Sequence, residues 1–266
     1  RGIFHMNIVI TGSRGFIGSH LKKKLEKYGN EIIEWDHRID KPIENFEVHH
    51  IWDRADYVIH LAAWADVRKS IEEPNLYWEN NVTNTTKIQR ICHKSKIPLL
   101  YASSSCIHEW HKSPYGISKK VNEETAFPEQ VALRFTTVYG GDGANRGMFM
   151  DNLKDGSLKY VTNHVRDFVH IDDVINAITM LMYLNKADNY NPESYKLEPS
   201  PKLLPAYDIG TGHGYTVSDL AKLAGYDLPI KEGDECEAQD NTADITEIKK
   251  LGWSPSIDVR EYIKAL

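Results

Sequence analysis

Glycines stand at positions 12, 15 and 18 of Thr11-Gly-Ser-Arg-Gly-Phe-Ile-Gly18, between a β-branched apolar run and apolar residues at helical spacing. A chain that passes from a buried strand through such a triplet into a helix has few folds open to it. Only hydrogen-sized side chains let backbone N–H groups and a helix N-terminus close on a pyrophosphate. On the strand side, Met6-Asn-Ile-Val-Ile-Thr11 is apolar as a buried parallel strand requires. On the helix side, Phe16, Ile17, Leu21 and Leu25 recur through Tyr28, and Gly29-Asn30 supplies C-terminal chemistry. A bare triplet also suits a plain turn, but the strand-to-helix context makes it a dinucleotide site, with spacing G-x-x-G-x-x-G rather than G-x-G-x-x-G.

Strand and helix patterns then alternate. Glu31 to Asp36, Tyr57 to Leu61, Ile97 to Ala102 and Val131 to Phe135 read as strands. Pro74 to His93, Ser113 to Thr125 and Ile171 to Leu184 read as helices. Regular alternation implies βαβ units, hence an α/β, Rossmann-type doubly wound parallel sheet. Beyond Gly140 the regularity fades, and the tail from Tyr207 mixes short elements. The expected division is a dinucleotide-binding domain over residues 6–140, to which later segments return, and a smaller C-terminal α/β lobe over 141–266 that binds substrate. Asp188 to Pro205 reads as a surface loop, and Arg1 to His5 as an expression remnant ahead of Met6.

The 266 residues carry 32 Lys+Arg against 38 Asp+Glu, a net charge of −6. That balance argues against nucleic acid or an anionic membrane as partner. Three cysteines, Cys92, Cys106 and Cys236, disfavour a disulfide framework. With no stretch apolar enough to span a bilayer and no leader pattern, a cytoplasmic protein is expected.

Two further features carry chemistry. Asp36 ends the second strand, where a carboxylate accepts from the adenosine ribose and repels a 2′-phosphate; this favours NAD over NADP, although Arg38 keeps NADP open and a solvated loop aspartate is the alternative. Tyr115 and Lys119 lie four residues apart on one helix face of Ser113-Pro-Tyr-Gly-Ile-Ser-Lys119. An ammonium near a phenol lowers its pKa, as a nicotinamide cation does, making the tyrosine a general acid/base. A Tyr-x-x-x-Lys pair is usually structural; its place just after Tyr101-Ala-Ser-Ser-Ser105, at the carboxyl edge of the sheet, carries the functional reading.

Taken together these segments resemble the extended short-chain dehydrogenases, specifically the NAD-dependent nucleotide-sugar epimerase/dehydratases. The resemblance spans nearly the whole chain. It takes in His60-Leu-Ala-Ala-Trp-Ala-Asp-Val-Arg-Lys-Ser70, Asn80-Asn-Val-Thr-Asn84, Ser103-Ser-Ser-Cys-Ile107, Leu133-Arg-Phe-Thr-Thr-Val-Tyr-Gly140, Arg166-Asp-Phe-Val-His-Ile-Asp-Asp173, Asp208-Ile-Gly-Thr-Gly212 and Ala243-Asp with Leu251-Gly-Trp253. It implies Tyr115 as acid/base, Lys119 as the residue that tunes it, and Ser104 as hydroxyl partner, with Ser105 the fallback. It implies cofactor contacts from Gly12, Arg14, Gly15, Phe16, Ile17, Gly18, Asp36, Leu61, Ala62, Ala63, Asn81, Tyr115 and Lys119, and substrate contacts from Arg68, Ser105, Cys106, Thr137 and Lys231. The implied activity is epimerisation of a nucleotide sugar at C4 through a transient 4-keto sugar, closest to UDP-glucose 4-epimerases, by a homodimer formed through the helices Pro74 to His93 and Ser113 to Thr125.

Departures bound that reading. Ser105-Cys106 stand where 4,6-dehydratases carry an acidic pair, which disfavours dehydration. Ser104-Ser-Cys-Ile resembles GDP-fucose synthases, so an NADP-dependent keto-sugar epimerase/reductase is the alternative, but Gly147 stands where their histidine does. Lys231 replaces the Arg of an Arg-x-Gly-Asp diphosphate segment, a point charge for a bidentate fork. Thr137 replaces an Asn beside the diphosphate. A plain surface arginine is the alternative for Arg68, a small buried hydrophobe for Cys106, and a catalytically idle NAD-binding protein for the whole chain. His49-His50 have no partners at metal-ligand spacing, so no metal is expected. His108 and His111 lie in a shortened segment near Tyr115; they read as exposed loop histidines without a role, with contact to a sugar the alternative. His170 with Asp172-Asp173 reads as a helix cap.

Overall fold

A computed structural model describes residues 5–48, 50–142, 146–188 and 202–266. In chain order its elements are β1 Asn7–Thr11, α1 Phe16–Lys27, β2 Glu31–Trp35, β3 Tyr57–His60, α2 Val67–Glu72, α3 Pro74–Tyr77, a π turn at Trp78–Thr83, α4 Asn84–Ser95, β4 Leu99–Ser104 and a 3-10 segment at Ser105–Lys112. There follow α5 Pro114–Glu124, β5 Val131–Phe135, β6 Thr137–Tyr139, α6 Phe149–Asp155, β7 Val161–Thr162, β8 Val165–His170 and α7 Ile171–Asp188. The last are β9 Ala206–Ile209, β10 Gly214–Thr216, α8 Val217–Leu223, β11 Ile230–Lys231, α9 Thr246–Lys250 and α10 Val259–Lys264.

Among the described residues six strands form a parallel sheet in the order β2-β1-β3-β4-β5-β9. Alternate residues of β1 point to opposite faces, as a pleated strand demands. Ile8 and Ile10 join Leu21 and Leu25 of α1 and Val174, Ile178 and Leu181 of α7, while Val9 joins Ile88 and Cys92 of α4. Both faces are therefore covered by helices, which is why β1 and β3 read as continuous apolar runs. Leu21 and Leu25 are fully buried, and truncating either to Ala costs about 2–5 kcal/mol.

The chain reverses its direction of strand addition at β1, whose neighbours are β2 and β3. Ligands of open α/β sheets bind in the crevice such a reversal leaves at the carboxyl ends. The second half of the chain contributes α7 and β9 to this layer. Its other strands form a β10-β8-β6 sheet and a β11-β7 pair, closed by Met150, Leu153, Leu220, Val259 and Ile263.

Where one helix is expected over Pro74 to His93, the chain is helical from Pro74 to Ser95 but widens into the π turn. Asn81 in that turn is buried and exchanges bonds with Trp64, its Oδ1 accepting from Trp64 N at 2.9 Å and its Nδ2 donating to Trp64 O at 2.8 Å. Asp173 does not cap its own helix. It accepts from Ser256 N, Ser256 Oγ and Ile257 N and ties down the C-terminal segment. His170 does act at the helix start, its Nδ1 accepting from Asp172 N at 3.2 Å. The three cysteines are unpaired. No helix among the described residues is long and apolar enough to cross a membrane. The loop read over Asp188 to Pro205, the remnant over Arg1 to His5, and His49 fall largely outside the described residues.

Candidate active site

A cleft of about 950 Å³ opens at the carboxyl edge of the sheet, between the sheet and the smaller lobe. Its sheet-side wall carries Gly12, Gly15, Phe16, Ile17, Gly18, Leu61, Ala63, Ser104, Ser105, Cys106, Tyr115 and Lys119. Arg68, Thr137, Arg146, Lys159, Tyr160, His164, Arg166, Glu237 and Asn241 are among the residues that line the rest of it.

The turn after β1 is shaped by close approach. Gly12 has φ +69°, and a Cβ there would stand 2.8 Å from Ala62 N; a Cβ on Gly18 would stand 2.1 Å from Gly12 O. Gly15 N donates to Gly12 O at 2.9 Å, and no side chain caps α1 at Gly15. The first-turn N–H groups of α1 thus face the cleft with the positive end of the helix dipole. Thr11 Oγ1 accepts from Leu61 N and Ala62 N, and His60 bridges Thr11 Oγ1 and Thr85 Oγ1 at 2.6 and 2.8 Å. Burial, with Lys119 nearby, lowers the His60 pKa to about 3, so a neutral imidazole ties β1 to β3 and α4. A glycine cradle beside an uncapped helix N-terminus fits a dinucleotide pyrophosphate.

Four of the residues expected at the cofactor are not among those lining the cleft. Arg14 turns away to Glu34, with Nε 2.7 Å from Oε2. Asp36 is buried at the end of β2, accepting from Arg14 N and Arg38 N at 2.9 Å each, and the Arg38 guanidinium donates to Arg14 O. Asn81 is committed to Trp64, and Ala62 lies beneath Gly12.

Ser104 ends β4, and Ser113 caps α5 through a 3.0 Å bond from Gly116 N. Pro114 then opens the helix, and the Ser70 hydroxyl accepts from Tyr115 N at 3.2 Å, which fixes where α5 begins. Tyr115 and Lys119 consequently turn inward, one helical turn apart. The short 3-10 segment packs directly on α5, since a Cβ on Gly116 would stand 2.6 Å from Trp110 O.

The Ser104 hydroxyl accepts from Cys106 N at 3.2 Å and stands beside the Tyr115 phenol, whose pKa it lowers. Lys119 Nζ donates to Ala102 O at 2.8 Å and lies 5.7 Å from the Tyr115 ring centroid. Burial pushes the phenol well above its ordinary value, and Ser104 only partly opposes it. Desolvation of the enclosed phenol is the largest influence on it. The same desolvation lowers Lys119 to about 8 and pushes the Cys106 thiol up.

On the facing wall, Arg68 pairs with Asp234 and Glu237 at 2.5 and 2.9 Å. Arg166 Nη2 reaches Glu237 at 2.8 Å, while its Nη1 donates to Val165 O and Ala238 O. Thr137 Oγ1 accepts from Asn241 Nδ2 at 3.2 Å. Lys231 is not among the lining residues; it is exposed, with Nζ 3.9 Å from the Tyr160 ring centroid at the cleft's margin. His108 turns to the sheet edge, where its Nε2 is 3.0 Å from Asp208 Oδ2, and His111 packs edge-on against Trp110; neither lines the cleft.

Sequence reasoning missed Arg146 and Glu237, and quoted Arg166 only within a motif. The Arg146 guanidinium carbon sits 3.7 Å over the Phe16 ring, at the start of α1, in a position no periodicity signals.

A sequence model of the NAD dependent epimerase/dehydratase family matches residues 8–197. Protein CapI of Staphylococcus aureus is 32% identical, over 97% of this chain and 96% of its own. A UDP-glucose 4-epimerase of Lactobacillus helveticus is 26% identical over 94% and 92%. Among solved structures, the UDP-glucose 4-epimerase of Thermotoga maritima with UDP-glucose superposes with a TM-score of 0.76 at 25% identity, covering 97% of this chain and 96% of that one.

Proposed function

Because this chain belongs to the NAD dependent epimerase/dehydratase family, we propose that it is a nucleotide-sugar 4-epimerase of the UDP-glucose/UDP-galactose type. The observation that carries the reading is the meeting of Ser104, Tyr115 and Lys119 on the floor of the same cleft that the Gly12 to Gly18 turn borders. Two of the relatives named above bear that activity in their names.

NAD, when bound, supplies a hydride acceptor and a positive charge beside the phenol. The protein's own residues do the rest. The first-turn N–H groups of α1 receive the cofactor pyrophosphate, and Arg146 over Phe16 stands where its guanidinium joins them. Tyr115 takes the proton from the C4 hydroxyl and later returns it, held in line by the Ser104 hydroxyl. Lys119 keeps a positive charge within reach of that oxygen. The buried surroundings that make free tyrosinate costly also exclude bulk water from the transfer. Arg68 and Arg166 are guanidinium groups available to the substrate diphosphate, and Lys159 lines the same cleft. Cys106 lines the same cleft beside these groups.

Incubation with UDP-galactose, UDP-glucose and their N-acetyl and uronic relatives, followed by proton NMR of the products, tests the reading. A C4-inverted product without net consumption of cofactor is expected. Failure to invert any of these sugars, or stoichiometric NADPH consumption, overturns it.

A further inference from the structure

Glu237 holds two guanidinium groups that approach from different parts of the fold. Arg166 belongs to β8 of the smaller lobe and its Nη2 is 2.8 Å away; Arg68 belongs to α2 beside the sheet and its Nε is 2.9 Å away. The Glu237 side chain is only 19% exposed, so these pairs are partly shielded from solvent. Asp234 adds a second carboxylate on Arg68. His164, 3.6 Å from Glu237, is buried and depressed in pKa by that burial, so it adds no cation near neutrality. This part of the wall is therefore close to charge balance, with two guanidinium groups against two carboxylates.

Lys159 also lines the cleft, but the forked donors that match a diphosphate at this wall are the two guanidinium groups Glu237 already holds. Arg166 cannot follow an anion elsewhere, because its Nη1 is tied to Val165 O and Ala238 O at 2.9 and 2.7 Å. Lys231 is not among the lining residues, its Nζ resting 3.9 Å from the ring centroid of Tyr160 at the cleft's margin. The guanidinium donors facing the cleft at this wall are those Glu237 occupies, and a carboxylate and a phosphate compete for the same fork geometry.

We propose that Glu237 is a built-in competitor for the diphosphate of the substrate, a residue that sets nucleotide affinity by being exchanged for the ligand on Arg68 and Arg166. The inference rests on the nucleotide-sugar reading above. It makes binding an exchange of one anion for another, so affinity is kept low without loss of the guanidinium pair that gives specificity for a diphosphate.

The test is calorimetric titration of UDP into the NAD-loaded protein and its Glu237→Gln and Glu237→Asp variants, with melting temperature and bound NAD measured on each. The Gln side chain keeps the shape and one acceptor but loses the charge, and the expected result is a Kd for UDP about tenfold below that of the wild type. The Asp variant keeps the charge and is expected to stay near the wild-type affinity. Equal affinity in wild type and Gln variant, weaker binding in the Gln variant, or a gain in both variants overturns the proposal alone. UDP that binds none of the three overturns the nucleotide-sugar reading and the proposal with it.

Discussion

The two walls of the cleft are made in different ways. The cofactor wall is a backbone device. Twelve consecutive residues, Asn7 to Gly18, form a strand, a turn and a helix start, and the geometry depends on where Cβ atoms are missing. The wall proposed for the substrate is a charge device assembled from Arg68, Arg166, Asp234 and Glu237, which come from distant segments and are linked by ion pairs. A backbone device tolerates little substitution, because a Cβ has nowhere to go in a packed interior. A charge device can be retuned one side chain at a time, and it responds to salt and to competing anions.

Several measurements would break or sharpen that contrast. The largest effect belongs to the floor between the walls: Tyr115→Phe should lower kcat about 10³-fold while leaving NAD content and melting temperature unchanged. A variant that retains most of its turnover would remove Tyr115 from the chemistry. Next comes the backbone wall. Gly18→Ala drives a Cβ to 2.1 Å from Gly12 O and should lower stability by about 2–3 kcal/mol and strip the protein of NAD, read from denaturant melts and the nucleotide released on heating. The charge wall should respond differently, with Arg166→Ala raising KM for the nucleotide sugar roughly 20-fold at nearly constant kcat.

A pH profile separates catalysis from folding. Burial lowers Lys119 from 10.5 to about 8 in the folded protein. Above that pH the ammonium is lost, and kcat should fall about tenfold by pH 9 if its charge serves Tyr115. The unfolded chain binds more protons than the folded one between pH 8 and 10.5, so this group makes stability rise across the same window. Activity and stability moving in opposite directions is the expected signature, checked by initial rates and by melts at each pH. The smallest effect is expected at Lys231→Ala, less than about twofold on KM, because an exposed ammonium that does not itself line the cleft contributes little.

How much was legible follows from the range of the interactions involved. The strand Val131 to Phe135 is found where the apolar run stands, and α5 begins at Pro114 because Ser113 and Pro114 are local helix-start chemistry. Tyr115 and Lys119 share a face because a helical turn spans about four residues. Asn81 and Asp36 were visible as polar residues at family positions, but nothing local shows that Asn81 is spent on Trp64 or that Asp36 accepts from Arg14 and Arg38. Asp173 looks like a cap by position, yet it pairs with residues more than eighty positions onward.

The sequence by itself determined the parallel sheet, the glycine cradle and the shared helix face of Tyr115 and Lys119, because strand period, helix period and glycine spacing are properties of neighbouring residues, whereas Ser104 is singled out only by resemblance to the family. Only the tertiary structure decided which cations reach the cleft. Lys231, expected there, is not among its lining residues, whereas Arg146 and Arg166 line it and Glu237 holds Arg166 and Arg68. A long charged side chain goes wherever a counter-charge or an aromatic face lies within its reach, and those partners are brought near by the fold of distant segments.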